Sequence, residues 1–393
     1  MFKPMFRINI VLVFLFLFTC CNSKENTEII VGAEQPDIFL SLLKGKNVGL
    51  VVNNTSLVKN VHLVDFLLSK DVQLKKIFAP EHGFRGDVSA GGKVEDGIDT
   101  KTGIPVLSLY GKDKKPGPEH LSGLDVVVFD IQDVGCRFYT YISTLHLVME
   151  ACAENNIPLV VFDRPNPNGD YVAGPIRKEG FESFVGMAPI PIVHGCTVGE
   201  LAKMINEEGW HNAEKKCELT VIPVKNYDHS MLYSLPERPS PNLPNDLSIR
   251  LYPSLCFFEA TSVSVGRGTD FPFQVLGGLQ ENLGEFEFTP QSIPGVAINP
   301  LNKDKKCYGV DLRTLEETPK FTLKYFLAFY EKFENKEDFL IRERWLNLLA
   351  GTDDLIKQIR AGKTEQEILK SWQPELAEFK KLRKKYLLYP DFE

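Results

Sequence analysis

The chain has none of the short patterns that mark the commonest bound cofactors. The six cysteines beyond the first thirty residues (Cys136, Cys152, Cys196, Cys217, Cys256, Cys307) form no Cys-x-x-Cys pair, which argues against a cysteine-rich zinc site. No His-x-His, His-x₃-His or His-Glu-x-x-His occurs among the seven histidines, so the familiar zinc-enzyme spacings are missing. Gly91-Gly92-Lys93 does not complete a phosphate-binding loop, and no Gly-x-Gly-x-x-Gly follows a strand-like run. A dinucleotide therefore has no warrant. Basic clusters are missing too. Lys+Arg is 45 against 52 Asp+Glu, a net charge of -7, and nucleic-acid binding needs clustered cations to neutralise phosphates. With 43% hydrophobic and 25% charged residues over 393 positions, the composition excludes disordered, collagen-like and coiled-coil classes. The length calls for two domains, or one with a large appendage.

What is present begins with a leader. Lys3 and Arg7 precede an apolar run from Ile8 to Thr19, interrupted only by Asn9. The run is too short to span a bilayer and has the form of a signal-peptide core. Cys20 and Cys21 come directly after it, as in a bacterial lipobox, where a cysteine is acylated and becomes the mature N-terminus. Residues 1–20 are thus expected to be a lipoprotein-type signal, with Cys20 or Cys21 as the lipidated residue. The alternative is a plain secretory signal with incidental cysteines. Residues 21–36 are expected to be a tether. Export places the rest in a disulfide-permissive compartment. The six later cysteines read as small core residues, with one bridge at most and no pairing assigned.

Beyond the leader, apolar runs alternate with amphipathic stretches. Strands are expected at Val48–Val52, Leu74–Phe78, Pro105–Leu109, Asp125–Phe129, Leu159–Phe162 and Leu219–Val224. Helices are expected at Val61–Lys70, Thr140–Asn156 and, from the capping box Thr197-Val198-Gly199-Glu200, through Glu208. Continuous apolar strands separated by helices indicate a Rossmann-like, mostly parallel α/β sheet covered on both faces, expected over residues 37–235. Pro236, Pro239, Pro241 and Pro244 interrupt the pattern and would carry the chain into a smaller α+β domain, residues 236–393. Its last eighty or so residues are rich in Lys and Glu and read as helical.

In open parallel sheets ligands bind beyond the carboxyl ends of the strands. Asn53, Asn54 and Thr55 follow the first strand. Glu81, His82, Gly83, Arg85 and Gly86 follow the second. Asp130, Gln132, Asp133, Arg137, Tyr139 and Tyr141 follow 125–129. Asp163, Arg164, Asn166 and Asn168 follow 159–162, and His194 comes after a further strand-like run, Pro191-Ile192-Val193. Five such ends converging on one rim would form a site for a polar ligand with many hydroxyls or amides.

Pro80-Glu81-His82-Gly83-Phe84-Arg85-Gly86, Gln132-Asp133-Val134-Gly135-Cys136-Arg137-Phe138-Tyr139-Thr140-Tyr141 and Asp163-Arg164-Pro165-Asn166-Pro167 resemble a bacterial family long catalogued as a domain of unknown function. Its characterised members are exo-β-N-acetylmuramidases of the NamZ type. His194-Gly195, Pro239-Ser240-Pro241-Asn242 and Val265-Gly266-Arg267-Gly268-Thr269 are similar to it as well. The likeness runs over nearly the whole chain after the leader. It departs at Glu259-Ala260-Thr261-Ser262, where Glu-Gly-Thr-Asn is expected. The resemblance implies a cleft between a Rossmann-like domain and a smaller one. It also implies release of N-acetylmuramic acid from the non-reducing end of peptidoglycan fragments, in the setting of cell-wall sugar recovery.

Glycoside hydrolysis needs a proton donor for the leaving oxygen and a group to meet the oxocarbenium-like centre. Glu81, beside two glycines that permit close approach, is the candidate acid; its other reading is a structural partner of Arg85 or Arg137. Asp130, Asp133 and Asp163 are candidates for the second carboxylate, although a strand-end aspartate also serves as a helix cap or turn residue. Glu259 is a further candidate from the other domain, and the sugar's own 2-acetamido group could replace it. Arg85, Arg137, Arg164 and Arg267 are candidates for the lactyl carboxylate, since arginine binds carboxylates through a two-pronged fork. His82, Gln132, Tyr139, Asn166 and His194 complete the expected sugar contacts. No cofactor and no metal is expected. The rival readings are a non-catalytic lipoprotein that binds cell-wall sugars and a metal-dependent hydrolase using His82, His194 and nearby aspartates.

Overall fold

The computed structural model describes residues 28–84 and 95–393. Cys20, Cys21 and Arg85 lie outside the described residues. The larger sheet has seven strands: β1 (Asn47–Val52), β2 (Gln73–Ala79), β3 (Gly97–Ile98), β4 (Pro105–Ser108), β5 (Val126–Asp130), β6 (Leu159–Phe162) and β7 (Leu219–Ile222). Their spatial order is β3-β4-β2-β1-β5-β6-β7. All neighbours run parallel except the short edge strand β3. The chain starts in the middle, builds outward through β2 and β4, then crosses to β5 and builds the other way. The order therefore reverses between β1 and β5, the position where doubly wound sheets bind ligands.

Every residue of β5 and β6 is buried. Their unbroken apolar runs still obey the period of two. Val127, Phe129 and Val161 pack with Leu145, Val148, Met149 and Leu201 from the helices Tyr141–Asn155 and Val198–Glu207. Val126, Val128 and Val160 pack on the opposite face, with Phe39, Leu43, Leu63 and Leu67 from Pro36–Leu43 and Leu63–Leu68. Both faces are covered, which is why no polar alternation survives. In-register pairs Val52–Asp130 and Phe129–Val161 align the carboxyl ends into one rim.

The C-terminal part carries a separate antiparallel sheet, β8 (Val275–Gly278), β9 (Phe286–Phe288) and β10 (Cys307–Asp311), ordered β8-β10-β9. Helices from Lys324–Lys332 to Glu365–Lys384 follow it in the chain. The two parts share a core: Phe257, Phe258, Phe326, Phe339 and Trp372 belong to the same buried cluster as Val127 and Leu145. A cleft between parts joined in this way has walls that are fixed by packing.

Two expectations change, and the reading of the later cysteines as small core residues holds. Pro191-Ile192-Val193 is not a sheet strand; Val193 makes only isolated bridges, to Cys136 and Ala173. Residues 28–35, expected within the tether, are packed against the body. Val31 and Ala33 are buried, Ile30 bridges to Lys225, and Gln35 donates from Nε2 to the Pro223 carbonyl at 2.6 Å. The six later cysteines are all buried and unpaired. Burial raises the thiol pKa of Cys136, Cys152 and Cys256, which leaves them unreactive.

Candidate active site

Glu81 lies two residues beyond β2 and sits in a tight turn. Gly83 N–H donates to the Pro80 carbonyl at 3.0 Å. His82 and Gly83 both have positive φ, 70° and 80°. Glycine accepts that conformation without cost, whereas for histidine it is uncommon, and backbone held this way tends to gather at functional sites. The turn presents the half-buried Glu81 to the helix Tyr141–Asn155. Thr140 occupies the N-cap position of that helix, yet its side chain makes no capping bond. Its hydroxyl instead donates to Glu81 Oε2 at 2.7 Å. Tyr141 donates to the Glu81 carbonyl at 3.4 Å and to that of Pro239 at 3.2 Å. Tyr110 also hydrogen-bonds to the Glu81 carboxylate. Burial, followed by that negative charge, pushes the Tyr110 phenol pKa well up, so it stays a donor.

Glu81 lies on the wall shared by two connected cavities. The outer one, about 780 Å³, is lined by the C-terminal part, including Glu259, Arg267, Asn299, Arg342 and Trp345. The inner one, about 60 Å³, is lined by His82, Tyr139, Tyr141, Ser240, Asn242 and the rings of Phe138, Tyr252 and Phe273. Arg267, like Glu81, borders both. Its Nε and Nη2 donate to Glu259 Oε1 at 3.1 and 2.6 Å, and its guanidinium lies 5.0 Å from the Phe273 ring centre. Of the residues expected at the site, Glu81, His82, Tyr139, Glu259 and Arg267 are thus brought together.

The others lie elsewhere. Asp130 is fully buried and grips Arg164 through Nε at 2.6 Å and Nη2 at 2.9 Å, and the pair lines neither cavity. Asp163, also fully buried, accepts from Thr197 Oγ1 and Gly199 N–H, both at 2.7 Å, and from the Tyr389 hydroxyl. It pins β6 to the start of a helix and to the C-terminal tail. Burial pushes its pKa up to about 6, against the hydrogen bonds from Tyr389 and Thr197. Arg137 meets no carboxylate. It donates to the carbonyls of Pro175, Ile190 and Leu349 at 2.7–2.8 Å, and burial pushes its pKa down to about 9. Gln132 Nε2 donates to the carbonyls of Asp133 and Pro165. Asn166 donates to the carbonyl of Cys196 and crowds Gly135, where a Cβ would fall 2.0 Å from its Oδ1. Asn168 bridges the carbonyls of Val134 and Ile249. Asp133 and His194 form a buried pair, with Nε2 and Oδ2 3.8 Å apart. Asp133 Oδ2 accepts from Gly135 N–H at 2.6 Å.

Sequence reasoning missed Thr140, Tyr110, Asn242, Arg342 and Trp345. Thr140 and Asn242 lie inside motifs that carry the family resemblance, but a threonine at a helix start reads as its cap. Tyr110, Arg342 and Trp345 are brought in by tertiary packing and carry no local signal. Among the described residues no group of three or more His, Cys, Asp or Glu is placed to hold a metal ion.

A doubly wound α/β sheet joined to a small antiparallel module, with a carboxylate in the cleft between them, defines a two-part α/β protein whose ligand lies at the junction. The family model for the exo-β-N-acetylmuramidase NamZ N-terminal region matches residues 48–247, and that for its C-terminal region matches residues 250–389. The chain belongs to the NamZ exo-β-N-acetylmuramidase family. It is 40% identical over 377 residues to the peptidoglycan β-N-acetylmuramidase NamZ of Bacillus subtilis strain 168, covering 90% of this chain and 89% of that protein. Two crystal structures of DUF1343 family proteins from Bacteroides fragilis NCTC 9343 are also similar. One has a TM-score of 0.85 at 45% identity, covering 93% of this chain and 100% of the other. The second has a TM-score of 0.79 at 29% identity, covering 92% and 99%.

Proposed function

We infer that this chain is an exo-acting glycoside hydrolase that releases N-acetylmuramic acid from the non-reducing end of peptidoglycan fragments. Besides family membership, one observation carries the reading: Glu81 lines the cavity of about 780 Å³ together with Glu259 and Arg267. A cavity of that size gives an exo-enzyme room for a terminal sugar against the acid and for the start of the leaving glycan. Glu81 is the proton donor to the leaving oxygen. The Thr140 hydroxyl holds the carboxylate through Oε2. Arg267 binds the lactyl carboxylate: with Nε and Nη2 on Glu259, its Nη1 remains for an incoming anion. The centre left at the anomeric carbon is met by Glu259, the other carboxylate facing the cleft, or by the sugar's own acetamido group. The anomer first released separates these routes in part, since inversion requires an activated water.

Incubation with a MurNAc-GlcNAc disaccharide, read by mass spectrometry, tests the reaction. Free N-acetylmuramic acid is expected, with full turnover after exhaustive chelation. Tight binding without product would instead identify a sugar-binding protein, and loss of turnover on chelation a metal enzyme. Export as a lipoprotein belongs to the same proposal, supported by Lys3, Arg7, the apolar run Ile8 to Thr19 and the two cysteines after it. Acylation at Cys20 or Cys21 would hold the enzyme at a membrane facing the periplasm. Labelling with a palmitate analogue should fail when both cysteines are changed to serine.

A further inference from the structure

The inner cavity has features that the hydrolysis of a generic glycoside does not use. It measures about 60 Å³. At roughly 10–15 Å³ for each water-sized group, it has room for about four to six. A pyranose ring does not fit, but a substituent with the four heavy atoms of an acetamido group does. Its walls are divided in character. Phe138, Leu243, Tyr252 and Phe273 offer apolar surface. Asn242, 1% exposed, offers a polar atom. Asn242 Nδ2 donates to the Val296 carbonyl at 3.0 Å, which orients the amide and makes Oδ1 its acceptor end. That oxygen is buried and has no hydrogen-bond partner. Buried polar atoms are rarely left so, and since Asn242 lines this cavity, a donor brought by a ligand would satisfy it.

We propose that this cavity is the recognition site for the 2-acetamido group, and that Asn242 is its specificity-determining residue. The amide N–H of the sugar donates to Asn242 Oδ1, and the methyl group rests on the surrounding rings. The position fits the chemistry. The 2-substituent is attached one carbon from the reacting centre, so its pocket must adjoin the acid, and Glu81 borders this cavity. The 3-O-lactyl group, next around the ring, then points to Arg267, which borders it too. The proposal rests on the muramidase reading and specifies which part of the sugar that site selects.

Calorimetric titration tests it without depending on turnover. The wild type, Asn242→Ala and Asn242→Asp are each titrated with N-acetylmuramic acid, N-propionylmuramic acid and muramic acid, whose free 2-amine is an ammonium. The wild type should bind the acetyl sugar about 10- to 200-fold more tightly than the propionyl one, the cost of one surplus methylene in a closed pocket. Asn242→Ala should lose roughly tenfold or more for the acetyl sugar and much less for muramic acid. Asn242→Asp puts a carboxylate where the amide oxygen stood, and should favour the ammonium sugar over the acetyl one. A purely structural asparagine would weaken all three sugars together, so an unchanged ranking across the three proteins overturns the proposal. The wild-type size comparison applies even if a variant fails to fold. If the wild type binds none of the three sugars, it is the muramidase reading itself that falls.

Discussion

Three acidic side chains stand beyond three parallel strands of one sheet, and their surroundings set them to opposite uses. After β2, Glu81 faces a cleft and is held by hydroxyls. At the end of β5, Asp130 is sealed against Arg164; after β6, Asp163 is sealed against a helix start and the C-terminal tyrosine. The difference lies in the local backbone and in the partners the fold brings to each acid. Glu81 is followed by two left-handed residues, His82 and Gly83, in a tight turn. Asp163 is answered by the N–H group and hydroxyl of a capping segment, and Asp130 by an arginine. Of the three, only Glu81 lines a cavity, and that is what makes it the candidate acid.

The contrast can be broken by mutation. The largest effect should come from Glu81→Gln, which keeps shape and hydrogen bonding but cannot deliver the proton. Turnover of a MurNAc-GlcNAc disaccharide, whose sugar leaving group needs the proton, should fall by about 10²–10⁴-fold, with thermal unfolding unchanged. Asp130→Asn should do the reverse. It leaves Arg164 buried without its partner, a loss on the order of 3–5 kcal/mol, visible as a lower denaturant midpoint with turnover per folded molecule retained. Asp163 sharpens the comparison through pH. Its folded pKa, about 6, lies above the ordinary value of 3.8. The folded state thus holds the proton more tightly, and the resulting stability is fully present below about pH 4 and lost as pH rises through 6. Asp163→Asn should remove that part of the decline, on the order of 3 kcal/mol, from stability measured across the window.

The smallest effects compare two threonines at helix starts. Thr197 caps its helix, accepting from Glu200 N–H at 3.3 Å, whereas Thr140 spends its hydroxyl on Glu81. Thr197→Val should cost about 2 kcal/mol of stability, since it loses both the cap and the bond to Asp163, and leave turnover alone. Thr140→Val should leave stability nearly unchanged and lower turnover roughly 10- to 100-fold through misplacement of the acid, with Thr140→Ser restoring it. Equal stability losses in the two variants would show that Thr140 is an ordinary cap.

Much of the frame was legible in the residues. The buried strands announce themselves as unbroken apolar runs: Leu159–Phe162 is expected and found with the same ends. The capping box at Thr197 marks where its helix starts. Pro191-Ile192-Val193 misleads, because three apolar residues look alike in a strand and in a packed loop. The site was legible only as a rim. Which rim residues open into the cleft depends on partners far along the chain, as Asp130 depends on Arg164, 34 positions later. Arg137 looks like an anion binder by type, yet the carbonyls that surround it come from three separate segments. The opposite wall, with Trp345 and Arg342, exists only once the helical C-terminal part has folded against the sheet.

A crystal structure of the Glu81→Gln protein with N-acetylmuramic acid bound tests the central claim most directly. The anomeric carbon should lie against residue 81, the lactyl carboxylate on Arg267, and the acetamido group in the small cavity at Asn242. A sugar seated instead beside Asp130 or Asp163, or with residue 81 out of reach of its anomeric oxygen, would contradict the account.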